Sequence, residues 1–164
     1  MKIISVPLTV AAAALAVAGC GGGNGASSAT KSTSTVTQAP AAKGATVDVH
    51  KSKLGTFLVD SSGRSLYLFE ADKSTASTCF GSCAAAWPPL TTSGAPKAGA
   101  NVKPGLLGTT MRKDGGTEVT YKGHPLYYYA GDSGPGATAV QGLDQFGAKW
   151  YVLAPSGNKI DNDS

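Results

Sequence analysis

Histidine, methionine and tryptophan are each represented only twice in this chain of 164 residues, and charged residues make up just 15% of it. With imidazole supplied only by His50 and His124, there is little from which to build a zinc, copper or haem centre. A Ser-His-Asp arrangement would have to be assembled from isolated parts. Nucleophile elbow, phosphate-binding glycine loop and metalloprotease helix are all missing. The expectation is a non-enzymatic protein with no catalytic residues, no metal and no cofactor. Charge of one sign does not accumulate either. The 14 basic residues outnumber the 10 acidic ones by +4, without a basic stripe, which excludes nucleic acid as a partner. Beyond residue 18 no apolar run approaches the roughly 18 residues of a membrane span.

The apolar run that does exist is at the start. Lys2 is followed by an uncharged, alanine-rich stretch from Ile3 to Ala18, the pattern of an export signal over residues 1–19. Val17-Ala18-Gly19-Cys20 resembles the lipobox of bacterial lipoproteins. That resemblance implies cleavage before Cys20 and diacylglycerol on its thiol, placing the chain on the extracytoplasmic side of the cell membrane. Lipidation also sorts the three cysteines. With Cys20 acylated, Cys79 and Cys83 remain as a pair, and an oxidising compartment favours a disulfide. A redox dithiol or a metal site is the alternative, although no basic residue adjoins them to stabilise a thiolate.

Residues 20–45 form an expected tether. Gly, Ala, Ser and Thr dominate, and Val36 is its only sizeable aliphatic residue. Such a stretch cannot offset its ordering entropy by burial, and as a coil of roughly 25 residues it reaches on the order of 25–30 Å.

The remainder, 46–164, is self-similar at a shift of 60 positions. Gly63-Arg64-Ser65-Leu66-Tyr67-Leu68-Phe69-Glu70-Ala71-Asp72 overlies Gly123-His124-Pro125-Leu126-Tyr127-Tyr128-Tyr129-Ala130-Gly131-Asp132. Without a gap, Gly55 falls on Gly115, Val59 on Val119 and Lys51 on Met111. Short β-rich runs separated by glycine turns predict a meander in each copy, about 46–105 and 106–160. Leu66-Tyr67-Leu68-Phe69 is apolar on both faces, as a central strand would be. The one helical prospect, Ser82–Trp87, is stopped by Pro88-Pro89. The expected fold is all-β, two pseudo-symmetric repeats in one compact domain with little helix.

Two Tyr-x-aromatic-x-x-Asp motifs, Tyr67/Phe69/Asp72 and Tyr127/Tyr129/Asp132, followed in the first copy by Cys79-x-x-x-Cys83 and Trp87-Pro88-Pro89-Leu90, resemble the secreted-repeat bacterial lipoproteins with the Yx(FWY)xxD motif. The resemblance covers everything beyond the tether. It implies location and architecture and brings no activity.

The motif residues admit two roles. In one, the rings pack the core and Asp72 and Asp132 each cap the loop of their own repeat, so that both carboxylates behave alike. In the other they meet across the pseudo-twofold as a ligand site. Trp87 and Trp150, delivered by the two tails, are candidate ligand-facing aromatics. The second half is rich in rings (Tyr121, Tyr127, Tyr128, Tyr129, Phe146, Trp150, Tyr151), and some can stack on sugars. His124, matched by Arg64, reads as a surface polar residue, and His50 as exposed. These readings converge on a lipid-anchored binding or interaction module whose partner is an envelope protein or a glycan. A metal- or haem-associated redox lipoprotein is the alternative.

Overall fold

The computed structural model describes residues 43–161, so the expected leader, Cys20 and nearly all of the expected tether lie outside the described residues. The strands are β1 (Thr46–Ser52), β2 (Gly55–Asp60), β3 (Tyr67–Phe69), β4 (Lys97–Ala98), β5 (Leu107–Met111), β6 (Thr117–Tyr121), β7 (His124–Pro125), β8 (Asp144–Gln145) and β9 (Ala148–Val152). The single α-helix among the described residues, α1 (Ser82–Ala86), stops where Trp87 leads into the two prolines. Three small sheets result, ordered β2-β1-β4, β3-β9-β8 and β5-β6-β7. The fold is all-β and built of two repeats. No helix among the described residues is long and apolar enough to cross a membrane.

The two copies do not superpose without a gap. β1 pairs with β2 so that Ser52 opposes Gly55. In the second copy the Arg112 amide donates to the Gly116 carbonyl at 2.8 Å, so the turn between β5 and β6 holds one residue more. The next turn compensates. The Asp60 amide reaches Arg64 O at 2.9 Å across Ser61-Ser62-Gly63, whereas Tyr121 opposes His124 across Lys122-Gly123 alone. The gapless shift therefore misplaces the strand between the turns. Leu58, not Val59, is the counterpart of Val119, and each accepts at its carbonyl from Leu66 and Leu126 respectively, both at 3.0 Å. The same correction puts Glu118 where the first copy has Phe57, both fully buried.

The second copy is a meander, β5-β6-β7, while the first is looser. β2 and the third strand touch only at the bridge Val59–Ser65. β3 instead pairs antiparallel with β9, from the tail of the second copy. Reciprocally, the tail of the first copy runs beside the third strand of the second: Pro89 bridges Tyr127, and the Leu90 amide donates to Leu126 O at 2.8 Å. The tails have changed places. The pseudo-twofold passes between Tyr67 and Tyr127, whose backbones exchange hydrogen bonds of 2.8 and 3.0 Å. As the apolar run predicts, this central strand is covered on both faces. Leu66 and Leu68 join one core cluster with Leu58, Val119 and Leu153, and Tyr67 and Phe69 join another with both tryptophans.

Candidate functional site

Because the tails cross, each motif residue meets the other repeat. The Tyr67 hydroxyl donates to Asp132 Oδ2 at 3.0 Å and the Tyr127 hydroxyl to Asp72 Oδ2 at 2.6 Å. Burial, reinforced by the facing carboxylates, pushes both phenols well above their ordinary range, so they stay protonated donors. Tyr67 stands edge-on to Trp87 at 5.3 Å, and Tyr127 edge-on to Trp150 at 5.2 Å. Phe69, Trp150 and Trp87 form a continuous stack with centroid spacings of 4.0 and 3.9 Å, and Tyr129 leans on Trp87 at 4.7 Å. Each such ring pair contributes about 0.5–1.5 kcal/mol beyond its area burial. Trp87 and Trp150 are not ligand-facing: both are fully buried, filling the space between the exchanged tails.

The two aspartates are not equivalent. Asp72 Oδ1 accepts from the Thr78 amide at 2.7 Å and its hydroxyl at 2.6 Å, within its own repeat. Asp132 Oδ1 is buried with no hydrogen-bond partner among the described residues. Burial raises the Asp132 carboxyl above its usual range, and the Tyr67 bond and Arg64 only partly offset it. Neither sequence reading survives whole. Asp72 caps its own loop but also crosses the axis, and each carboxylate meets a tyrosine of the opposite repeat.

Behind Asp72 lies a polar core absent from the first copy and not foreseen from sequence. Arg112 and Glu118 are buried and paired at 2.8 Å. The guanidinium also donates to Ser77 Oγ (2.8 Å), Cys79 O (2.9 Å) and the half-exposed carboxylate of Asp114 (2.9 Å). Its plane rests 4.6 Å from the centroid of Phe80. The proton order of this chain follows from the inventory of donors. Tyr127 gives its one hydroxyl proton to Asp72, so Ser77, 2.6 Å away, donates to Tyr127 and accepts from Arg112. Glu118 Oε1 remains buried without a partner among the described residues. Burial pushes this carboxyl up to about 7 against the pull of Arg112, with Asp72 and Asp114 adding to the rise. The sequence signal, an Arg and a Glu set diagonally across a hairpin whose sister copy has Ser52 and Phe57, becomes visible only when the extra turn residue is allowed for. Cys79 and Cys83 are joined in a disulfide that closes the loop carrying Phe80.

The surface opens where the third strand of the first copy, the β6–β7 turn of the second and the final loop converge. This cleft of about 460 Å³ is lined by Leu68, Phe69, Glu70, Asp72, Lys73, Lys122, His124, Gly157, Asn158 and Lys159. Its size lies within the usual range for small-molecule sites. Lys122 has φ 51, a left-handed conformation that a two-residue hairpin turn imposes and that Asn or Gly adopts more readily. Its stem lies over Gly157, where a Cβ would come within 2.6 Å of Lys122 Cβ and Cδ. Lys122 Nζ donates to Asn158 Oδ1 at 2.6 Å. His124, expected at the surface, is half-buried in the cleft. Burial and then the charge of Lys122 hold it below the ordinary imidazole range, so it is neutral at neutral pH. Glu70 is engaged by Lys159 at 2.8 Å. His50 is also half-buried, against Phe57 at 5.4 Å, away from this cleft's lining. Of the second-half aromatics, Tyr121, Tyr127, Trp150 and Tyr151 are buried, Tyr128 and Tyr129 half-buried, and Phe146 is 43% exposed. Among the described residues no three His, Cys, Asp or Glu side chains gather as a metal site.

Residues 48–91 and 108–154 each match a family described as a secreted repeat of unknown function. The match puts the domain outside the cytoplasm. No curated protein and no solved structure matches the chain. The two matched units span more than half of the sequence and coincide with the two interlocked halves seen here, and the chain accordingly belongs to the Lipoprotein_15 family of secreted repeats.

Proposed function

We propose that this protein is a lipid-anchored binding module of the cell envelope, held to the membrane by diacylglycerol on Cys20 and taking its ligand in the cleft between Lys73, Lys122 and His124. The observation that carries this reading is the strained, cradled Lys122 at the mouth of a cleft to which both repeats contribute. A bulky residue in a sparsely populated backbone region marks a position retained for more than packing. The role is binding, not turnover, because the motif side chains are engaged inside the protein. Tyr67 spends its hydroxyl on Asp132, and Tyr127 and Asp72 spend their polar atoms on each other, on Ser77 and on Thr78. The sulfur atoms that a redox reading would draw on are bonded to each other.

Two experiments bear on the proposal. Amide NMR of the detergent-solubilised full-length protein, titrated with fragments of envelope polymer, should show perturbations concentrated at Lys73, Lys122, His124 and Asn158. Chemical conversion of a fragment without such perturbations would overturn the binding reading. Independently, Cys20→Ala should abolish labelling by a radioactive fatty acid; a variant that still labels and partitions into the detergent phase would remove the anchor from the account.

A further inference from the structure

We infer that the cleft recognises a phosphate ester of a polyol, the phosphate held by Lys73 and Lys122 and the hydroxyls by His124 and Asn158. The inference rests on the binding reading above and gives its ligand a chemical class.

The charges in the cleft do not cancel one another evenly. Lys159 is neutralised by Glu70 and Asp161, each at 2.8 Å, and its ammonium sits 4.3 Å from the centroid of the Tyr151 ring. The carboxylate of Asp72 accepts three internal hydrogen bonds and is 5% exposed, so it faces the protein more than the cleft. Two cations are left. Lys122 is bonded only to the neutral Asn158 amide, and Lys73 is exposed and forms no ion pair among the described residues. A second, smaller hollow of about 250 Å³ is continuous with the first in its lining, sharing Asp72, Lys73, Lys122 and His124, and it adds Ser74, Thr75 and Gly123. Lys73 and Lys122 thus line both hollows.

An anion of tetrahedral shape suits this place better than a planar carboxylate. Lysine binds phosphate as a point charge and needs no fork-on-fork alignment. A bare ion would use only the two lysines. A polyol attached to it would extend along the larger hollow, over the edges of Leu68 and Phe69, past neutral His124, which both donates and accepts, and Asn158. Pre-positioning of Lys122 by its turn and by Gly157 lowers the ordering cost of binding.

The chemistry is shared by soluble glycerol phosphates and by phosphatidylglycerol headgroups, and the assay separates them. The solubilised full-length protein is titrated with glycerol 3-phosphate, inorganic phosphate and glycerol, followed by the amide signals of Lys122, His124 and Asn158. Sedimentation with phosphatidylglycerol and phosphatidylcholine vesicles follows, using a Cys20→Ala chain expressed without residues 1–19, which carries neither leader nor acyl chain. Glycerol 3-phosphate should bind at least tenfold more tightly than glycerol, and more weakly as salt is raised. Lys122→Gln and Lys73→Gln should each weaken it about tenfold, with the near-ultraviolet signal of the stacked tryptophans unchanged as the check on folding. Binding of phosphatidylglycerol vesicles with the same dependence on the two lysines, in place of the soluble ester, supports the same site and identifies the membrane as its source. Equal perturbation by glycerol and glycerol 3-phosphate overturns the phosphate inference while leaving the cleft as a binding site. Silence of the cleft signals toward every probe, soluble or vesicular, overturns the inference as well; binding of other envelope fragments there would still uphold the broader reading.

Discussion

Glu118 should make this protein less stable as the pH rises toward neutrality, and Glu118→Gln should remove that dependence. The carboxyl is fully buried, with Oε2 on Arg112 at 2.8 Å and Oε1 unpartnered among the described residues. Burial raises it from 4.5 to about 7. A carboxyl raised on folding holds its proton in the native state while the unfolded chain has already lost it. Stability is therefore full below about 4.5, declines as the pH climbs from there to about 7, and levels off beyond. At about 1.36 kcal/mol per pH unit the loss amounts to about 3 kcal/mol. Glutamine has the shape and neutrality of the protonated acid. Denaturant melts should find wild type and variant within about 1 kcal/mol of each other near pH 5, and the variant ahead by about 3 kcal/mol at pH 8. The opposite outcome is also physically definite. If the ionised pair with Arg112 were the native arrangement across this range, removing one partner would cost about 3–5 kcal/mol at pH 8. A variant weaker than wild type there, or two parallel pH profiles, would refute the reasoning.

The other predictions concern the axis. Asp72→Asn, which turns an amide toward donors that need an acceptor, should cost about 1–3 kcal/mol, whereas Asp132→Asn, at an oxygen without a partner, should be near neutral in thermal melts; equal losses would restore the equivalence of the two halves. Trp150→Ala removes the middle ring of the stack and should cost about 3–5 kcal/mol, with loss of the tryptophan couplet in circular dichroism; a retained couplet would mean that the indoles do not stack. Cys83→Ser opens a loop of a few residues and should cost about 2 kcal/mol in denaturant melts under non-reducing conditions; no loss would show that Phe80 and Cys79 O hold Arg112 without the bridge.

Local chemistry was legible from the chain in proportion to how little it depended on the other half. The double-faced strand at Leu66–Phe69, the helix stopped by Pro88-Pro89 and the pairing of Cys79 with Cys83 follow from residues that are neighbours in sequence, and the structure has them all. The meander follows too, as β5-β6-β7 of the second copy shows, but the exchange of tails does not. Period and turn glycines say that three strands occur in order, but they say nothing about which neighbour the third will choose. β3 takes β9 because the exchange lets Trp150 reach Phe69 and Trp87 reach Tyr129, contacts between residues about 40 to 80 apart in sequence that no local pattern carries. The candidate cleft was hidden for a different reason. Lys73, Lys122 and Asn158 belong to three loops, and only the backbone strain at Lys122 singles one of them out. A lysine before a turn glycine, where Asn or Asp is commoner, is the trace of it in the sequence.

The crossed bonds account for the form of the motif itself. Within one repeat, a tyrosine and an aspartate five residues apart, flanking the end of a strand, have no evident need of each other. Across the axis they do. Tyr67 must bury its hydroxyl beside the other tail and finds Asp132, while Tyr127 finds Asp72. The aromatic between them stacks on the tryptophan that the opposite tail delivers. Each half thus supplies the polar acceptor and the ring that the other half's tyrosine requires, and a half by itself would leave a buried phenol unpaired and an apolar strand uncovered on one face. Duplication under that constraint conserves what lies at the axis and frees what lies away from it. Phe57 and Glu118 occupy the same place in their strands, yet one is a core ring and the other an ion-paired acid. The extra turn residue after Arg112 moves β6 on by one, which sets Glu118 where the first copy has Phe57, within reach of a guanidinium at the position of Ser52. The symmetry that builds the core is therefore also what lets the two surfaces differ: the cleft draws on the third strand of one copy and on the Lys122-Gly123 turn of the other, where the first copy has Ser61-Ser62-Gly63.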